Sequence, residues 1–291
     1  MEQQNIYKIL AAIMILTMII VPVAYVITSP TSDLAANTSE QTNTQEKYNP
    51  EFWTVNQPFY SISDALNMTP PGAESASFVD LESMPPQMVQ WVRQDMQVIG
   101  EVDTIYKSNT TRMYYANLRE KNNSSFLLLS TMFPEKNDFG YMEIPNTSPP
   151  ILQRTDMNGL YNVMGRPSIL ASGETVMGVL SITESLNKTN TSYDQYEKLI
   201  NLVPAAPFQT LSSNVTFSEQ YYMGIKLNNG SYERTTAYLN LNSSTMKNLT
   251  MFKANSTQKG FSHYNITQAA NYTIVDIISP DFFTILTEGI S

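Results

Sequence analysis

The chain has no cysteine and a single histidine among its 291 residues. Without thiols it can build no disulfide, thiolate nucleophile, Fe–S cluster, covalent c-type haem or Cys-based zinc site, and an exported domain must rely on its core. With His263 alone, two-histidine metal motifs are excluded and one imidazole remains for a Ser-His-Asp arrangement. It stands between Ser262 and Tyr264, directly before a sequon, where a surface or partly packed position is the default reading against a catalytic base. Basic residues are also scarce. Lys plus Arg number 17 against 26 Asp plus Glu, a net charge of −9, and the cations are scattered, which argues against nucleic acid as a partner.

Other signatures are missing as well. No G-x-S-x-G, G-x-x-x-x-G-K-[ST] or G-x-G-x-x-G occurs, so nucleophile-elbow, P-loop and dinucleotide readings have no support. Ser185–Lys188 and Ser244–Lys247 fit S-x-x-K but lack the companion S-D-N and K-T-G elements. There is no complete calcium loop, and Asp156-Met157-Asn158-Gly159 reads better as a turn. Asp80, Glu82, Glu101 and Asp103 are close in sequence, yet carboxylates make a glycosidase pair only at a defined spatial separation, so a solvated face is the default. No catalytic, cofactor-binding or metal-ligating residue is assigned.

What is present begins with one apolar run, Ile9 to Ile27. Its 19 residues give about 28 Å of helix, close to the hydrocarbon thickness of a bilayer, and predict a transmembrane helix over 9–27. Lys8 precedes the run and no Lys or Arg follows until Lys47, which places residues 1–8 in the cytoplasm and the rest outside a cell membrane crossed once. Tyr7 and Tyr25 suit the two headgroup layers, and Pro22 is tolerated in the outer third. The competing reading, a cleaved secretory signal, needs a shorter apolar core and nearer small residues than Ala35-Ala36. Either way the product is exported.

The second feature is a crowd of Asn-X-Ser/Thr sequons. Fifteen begin at Asn37, Asn67, Asn109, Asn122, Asn123, Asn146, Asn187, Asn190, Asn214, Asn229, Asn242, Asn248, Asn255, Asn265 and Asn271, against about five expected from composition. All follow the apolar run, as glycosylation on the outer side requires. The alternative is a polar β-rich chain that favours Asn, Ser and Thr in its turns.

Beyond the span, residues 28–57 are rich in Thr, Ser, Asn and Gln and read as a stalk. A faint internal repeat then points to two similar tandem α+β modules over 58–186 and 187–291. Ala65–Pro70 echoes Leu199–Pro204, Tyr114-Tyr115 echoes Tyr221-Tyr222, and Thr131–Phe133 echoes Thr250–Phe252. Phe139–Ile144 resembles Phe261–Ile266, and Thr175–Ile182 resembles Thr273–Ile278, with an extra segment around Pro86–Gly100 in the first copy. Tyr221–Leu227 and Tyr232–Leu241 flank Asn228-Asn229-Gly230 and predict a tight hairpin. Strands are likewise expected at Asp103–Lys107, Met113–Leu118 and Ser125–Met132, making an antiparallel sheet.

Helices are expected over Pro86–Ile99, with Met88, Val92, Met96 and Ile99 on one stripe, over Tyr193–Leu202, and over Pro280–Thr287 capped by Ser279. The fold class is therefore α+β: an N-terminal transmembrane helix, then an antiparallel-sheet-rich extracytoplasmic region. The function this implies is a membrane-anchored, N-glycosylated binding or structural surface protein. Its partners are the lipid bilayer through residues 9–27 and, for an exposed subunit, a protein of an envelope or membrane complex. The alternative is an exported hydrolase using carboxylates or a serine, with His263 as its sole imidazole. No cofactor is called for.

Overall fold

The computed structural model describes residues 53–119, 124–157, 159–185 and 190–287. The apolar run 9–27, Lys8 and most of the 28–57 segment lie outside these residues. Among the described residues no helix is long and apolar enough to cross a membrane.

The described chain is a mixed α+β fold dominated by one twelve-stranded antiparallel sheet. In chain order its strands are β2 (Ala73–Asp80), β3 (Asn109–Arg119), β4 (Ser124–Phe133), β5 (Tyr141–Glu143), β6 (Leu152–Arg154), β7 (Leu160–Val163), β9 (Ser168–Ser172), β10 (Phe208–Val215), β11 (Ser218–Asn228), β12 (Ser231–Leu239), β13 (His263–Ala269) and β14 (Tyr272–Ser279). Across the sheet they run β13-β14-β12-β11-β10-β2-β3-β4-β9-β7-β6-β5. A separate parallel pair, β1 (Val55–Asn56) with β8 (Gly165–Arg166), ties the first described residues to the loop between β7 and β9.

Both faces of the sheet are covered, which explains why its central strands read as apolar runs rather than clean alternations. On one face Phe78, Tyr114, Ala116, Leu127 and Leu129 pack under α1 (Ile62–Leu66), α4 (Gly173–Glu184) and α5 (Ser192–Ile200). On the other, Met113, Tyr115, Leu128 and Met132 join Tyr232 and Tyr238 beneath α2 (Pro86–Asp95), α3 (Gln97–Tyr106), α6 (Ser243–Ala254) and α7 (Phe282–Thr287). Successive residues of β4, Leu127 and Leu128, thus enter different cores.

The β11–β12 hairpin forms as its turn chemistry requires. Asn229 and Gly230 carry φ of 49° and 78°, and Asn228 lies opposite Ser231. Tyr193–Leu202 contains most of α5, at whose start Thr191 N donates to Asp194 Oδ2 at 3.2 Å and Asp194 N to the Thr191 carbonyl at 3.3 Å.

Other expectations are corrected. Pro86–Ile99 is not one helix, because α2 and α3 meet at Met96, whose φ of −102° and ψ of 79° are not helical. Asp103–Lys107 is not a strand. Val98, Ile99, Val102 and Tyr106 recur at helical spacing and bury in the same core as Met88 and Val92, so tertiary packing draws the segment into α3, and Lys107 leaves it at φ 50°. The last helix starts later than Pro280: Thr284 donates its N–H to Asp281 Oδ2 at 2.8 Å, while Ser279 Oγ accepts from Asp281 N.

Two of the five segment pairs compared in sequence occupy matching places. Ala65–Pro70 and Leu199–Pro204 each close a helix and lead into a strand, and the tyrosine pairs lie on β3 and β11. Thr250–Phe252 is helical where Thr131–Phe133 is strand, Thr175–Ile182 is helical where Thr273–Ile278 is strand, and Phe261–Ile266 enters β13 whereas Phe139–Ile144 spans the short β5.

Because neighbouring strands alternate in direction, the sheet has two distinct ends. At the Asp80 end lie the ends of β2, β4 and β14, the starts of β3 and β10, and the β11–β12 turn. At the Asn271 end lie the β10–β11 and β13–β14 turns.

Candidate functional site

The catalytic candidates do not assemble. His263 is exposed at the first residue of the outermost strand β13, paired only through its backbone register with Ile278. Ser244 and Lys247 are exposed on α6, and Ser185 is exposed just after α4, while Lys188 lies outside the described residues. The four acidic residues separate into different contacts. Asp80 accepts from Arg112 Nη2 at 3.0 Å and from Ser83 Oγ at 3.0 Å, across the β2–β3 ladder. Asp103, on α3, accepts from Arg93 Nη1 at 2.6 Å and from Thr110 N at 2.6 Å. Glu101 is half-buried on α3 and Glu82 is exposed. Among the described residues no His, Asp and Glu group could hold a metal ion.

Asp156, Met157 and Gly159 lie between β6 and β7, and Asn158 lies outside the described residues; Asp156 has a further role. Arg154, fully buried, donates Nε to Asp156 Oδ1 at 2.7 Å and Nη2 to Asp156 Oδ2 at 2.5 Å. Its guanidinium lies 3.8 Å from the centroid of Phe139, and Nη1 reaches Asn162 Oδ1 at 3.4 Å. Asn162 Nδ2 in turn donates to the Tyr106 hydroxyl at 2.5 Å. Burial pushes the Asp156 carboxyl up, but the bidentate Arg154 outweighs it and holds the group below the usual carboxylate range. Burial pushes the Tyr106 hydroxyl up to about 12, against the opposing pull of Arg154. This is a satisfied polar knot inside an aromatic core. Sequence reading missed it, since its partners are brought together only by the β6–β7 pairing and α3; the Arg-x-Asp step at a strand end was the one local sign.

The second buried cation is Arg234 on β12. Nη1 donates to the Ile285 carbonyl at 2.5 Å, capping the last turn of α7, and burial pulls its pKa down while the Tyr221, Tyr238 and Tyr264 hydroxyls nearby oppose that shift. Both arginines are held by the fold rather than presented to a ligand.

What the surface presents is different. Eleven sequon asparagines are described: Asn109, Asn146, Asn190, Asn214, Asn229, Asn242, Asn255 and Asn271 are exposed, and Asn67, Asn248 and Asn265 are half-buried. Asn37, Asn122, Asn123 and Asn187 lie outside the described residues. Asn229 and Asn271 sit in hairpin turns, and Asn242 caps α6 by accepting from Thr245 N at 2.8 Å. An open cleft of about 310 Å³ lies at the Asp80 end, lined by Asp103, Lys107, Asn109 and Lys136 among others. Its cations are engaged: Lys107 Nζ lies 3.0 Å from Asp138 Oδ2, and Lys136 Nζ donates to the Lys107 carbonyl at 3.0 Å.

No protein family and no curated protein sequence matches the chain. Among solved structures, crystal forms I, III and IV of TP0453 are similar, each at 10% identity and a TM-score of 0.45. They cover 81%, 76% and 77% of this chain and 98%, 96% and 96% of that one, respectively. A likeness of this degree does not establish a shared fold.

Proposed function

We propose that the chain is a membrane-anchored, N-glycosylated extracytoplasmic protein with a binding or structural role, presented outside the cell as a surface domain or as the exposed subunit of an envelope or membrane complex. The observation that carries this reading is the accessibility of its sequons. None of the eleven described sequon asparagines is buried, whereas two asparagines outside sequons, Asn137 and Asn162, are. Turns that merely favour polar residues would also be exposed, so occupancy decides the matter. Intact-mass measurement of the native protein is expected to exceed the 32.8 kDa of the bare chain by many sugar units. A mass equal to the bare chain would remove the glycoprotein reading and weaken the external address.

We further read the domain as two tandem modules, 58–186 and 187–291, joined edge to edge. Support comes from the strand order, which proceeds outward from the β2–β10 seam as β2-β3-β4-β9-β7 on one side and β10-β11-β12-β14-β13 on the other. The ladders agree in register too: Tyr114 opposes Leu129 and Tyr222 opposes Ala237, so the same step carries one pair onto the other.

A further inference from the structure

We infer that the Asp80 end of the sheet is a membrane-facing surface that rests on the headgroup layer of the bilayer holding the anchor; this rests on the membrane-anchored reading above. Eight large apolar side chains are well exposed among the described residues, and four belong to this end: Phe133 at 73%, Tyr60 at 65%, Phe283 at 54% and Leu227 at 42%. Phe133 ends β4, Leu227 stands beside the β11–β12 turn, Phe283 opens α7 just after β14, and Tyr60, with the Arg112 guanidinium 4.8 Å from one face of its ring, precedes α1. The other four, Met142, Met177, Leu202 and Met251, are on β5, on α4, after α5 and on α6, and none lies in a turn of the Asn271 end. Singly exposed apolar residues are ordinary, but a one-ended distribution is not.

The shape of this row selects its occupant. From β14 to β4 the sheet crosses six inter-strand steps, about 29 Å at ~4.8 Å each. Side chains spread along such a line at strand tips suit a flat, extended surface. Aromatic rings and leucines belong at the boundary of headgroups and acyl chains.

Connectivity supplies the second argument. The chain reaches the fold at this same end, where Val55 and Gln57 hydrogen-bond to Met164 and Arg166 in the loop between β7 and β9. Twenty-five residues separate Ile27 from Trp53, which as a coil span about 28 Å. The anchor therefore keeps the membrane within reach of these side chains, and a contact too weak to recruit a free protein suffices once it is intramolecular. Asn109 and Asn229 are at this end, so resting on lipid requires both to be bare.

The test uses the full chain in phospholipid vesicles. Because the protein has no cysteine, an environment-sensitive fluorophore can be attached singly at Leu227→Cys, Phe283→Cys, Thr216→Cys or Asn271→Cys, with circular dichroism confirming each fold. Quenching by lipid-borne nitroxide is expected to be several-fold stronger at 227 and 283 than at 216 and 271, and peptide mapping of native protein is expected to find Asn229 without a glycan. Equal quenching at all four sites, or a glycan on Asn229, would overturn the inference. So would protection of 227 and 283 from an aqueous quencher without lipid quenching, which would point to a protein occupant. Alkaline carbonate extraction of the same vesicles separates the two failures: a chain that stays with the membrane preserves the anchored reading, and one that is released overturns both.

Discussion

The two sides of the β2–β10 seam share a strand order but protect it differently. On the first side, α2 and α3 are inserted between β2 and β3 and the sheet is prolonged by β5 and β6; on the second, α6 and α7 follow β12 and β14. The caps also cross the seam. Trp91 on α2 packs against Phe208 and Phe282 at ring-centroid distances of 5.2 and 5.4 Å, and Gln87 accepts from the Tyr232 hydroxyl at 3.1 Å, so a helix of the first side covers the second. In return Tyr196 on α5 donates its hydroxyl to the Ala73 carbonyl at 2.7 Å, and Ser192 Oγ bonds both Pro70 O and Ala73 N. What this teaches is that likeness of strand order does not make the sides independent. Each side's core is completed by the other.

The largest effects should come from cutting the seam. Phe78 on β2 and Leu211 on β10 are fully buried in the same core, and Phe78 meets Phe59 edge-on at 5.9 Å. Phe78→Ala should cost about 4 kcal/mol and Leu211→Ala about 3 kcal/mol through lost burial and the cavity left behind. If the sides are interlocked, urea unfolding followed by circular dichroism and tryptophan fluorescence will show one shared transition, shifted by either variant. Two resolved transitions, with Phe78→Ala moving only one, would break the comparison.

Alkaline titration probes both sides at once. Burial pushes the hydroxyls of Tyr106 on the first side and of Tyr196 and Tyr264 on the second up to about 12. In the unfolded chain tyrosine ionises near its ordinary value of about 10. Between these values the folded state keeps protons that the unfolded state has lost, so the stabilisation, complete below about pH 10, declines as pH rises toward about 12. Unfolding should therefore bring the last part of the tyrosinate absorbance with it in that window. Complete ionisation of every tyrosine in a still-folded protein would contradict the burial of these hydroxyls.

A smaller effect is confined to the first side. Arg154→Ala should cost about 2 kcal/mol, since it removes a buried guanidinium from Phe139 and Asn162 and leaves Asp156 to water. Asp156 has a lowered folded-state pKa, so its contribution is present above the unfolded carboxylate value of about 4 and is lost as pH falls through the folded one. Acid unfolding of the native chain should accordingly be steeper below about pH 4 than that of Asp156→Asn. Equal slopes would mean that the pair contributes nothing beyond packing.

How much of this was legible in the sequence depends on where the signal lives. The β11–β12 hairpin was, because Asn229-Gly230 fixes its turn locally, and so was α5, whose start is marked by Thr191 and Asp194. The α2–α3 break was not, for Met88, Val92 and Ile99 keep a helical stripe through Met96 even though the backbone turns there. Nor was α4, where Gly173 and Gly178 and a Thr/Val-rich middle oppose helix propensity against the Ser172 cap, accepting from Thr175 N at 3.3 Å, Glu174 in the first turn and the short stripe of Val176, Val179 and Leu180. Surface candidates fared better than buried ones: sequons are written in consecutive residues, while the Arg154 and Arg234 contacts join positions that only the finished sheet brings together.

The finest comparison sets one hydroxyl against another. On the first side Tyr114 meets Thr69 Oγ1 at 3.0 Å, just after α1; on the second, Tyr222 donates to the Pro204 carbonyl at 3.1 Å, just after α5. Both fasten the strand beside the seam strand to the end of the preceding helix. Their partners differ in what is left when the hydroxyl goes. Thr69 Oγ1 still donates to the Ala65 carbonyl at 2.7 Å, so Tyr114→Phe should cost no more than about 0.5 kcal/mol. Tyr222 also meets Oε1 of the buried Gln209 at 3.4 Å, which loses its tyrosine partner together with Pro204 O, and Tyr222→Phe should cost about 1.5 kcal/mol. Chemical denaturation of both variants measures the difference directly. Equal costs would mean that the two contacts are interchangeable, which would strengthen the tandem reading and leave the buried acceptor without the energetic weight assigned to it.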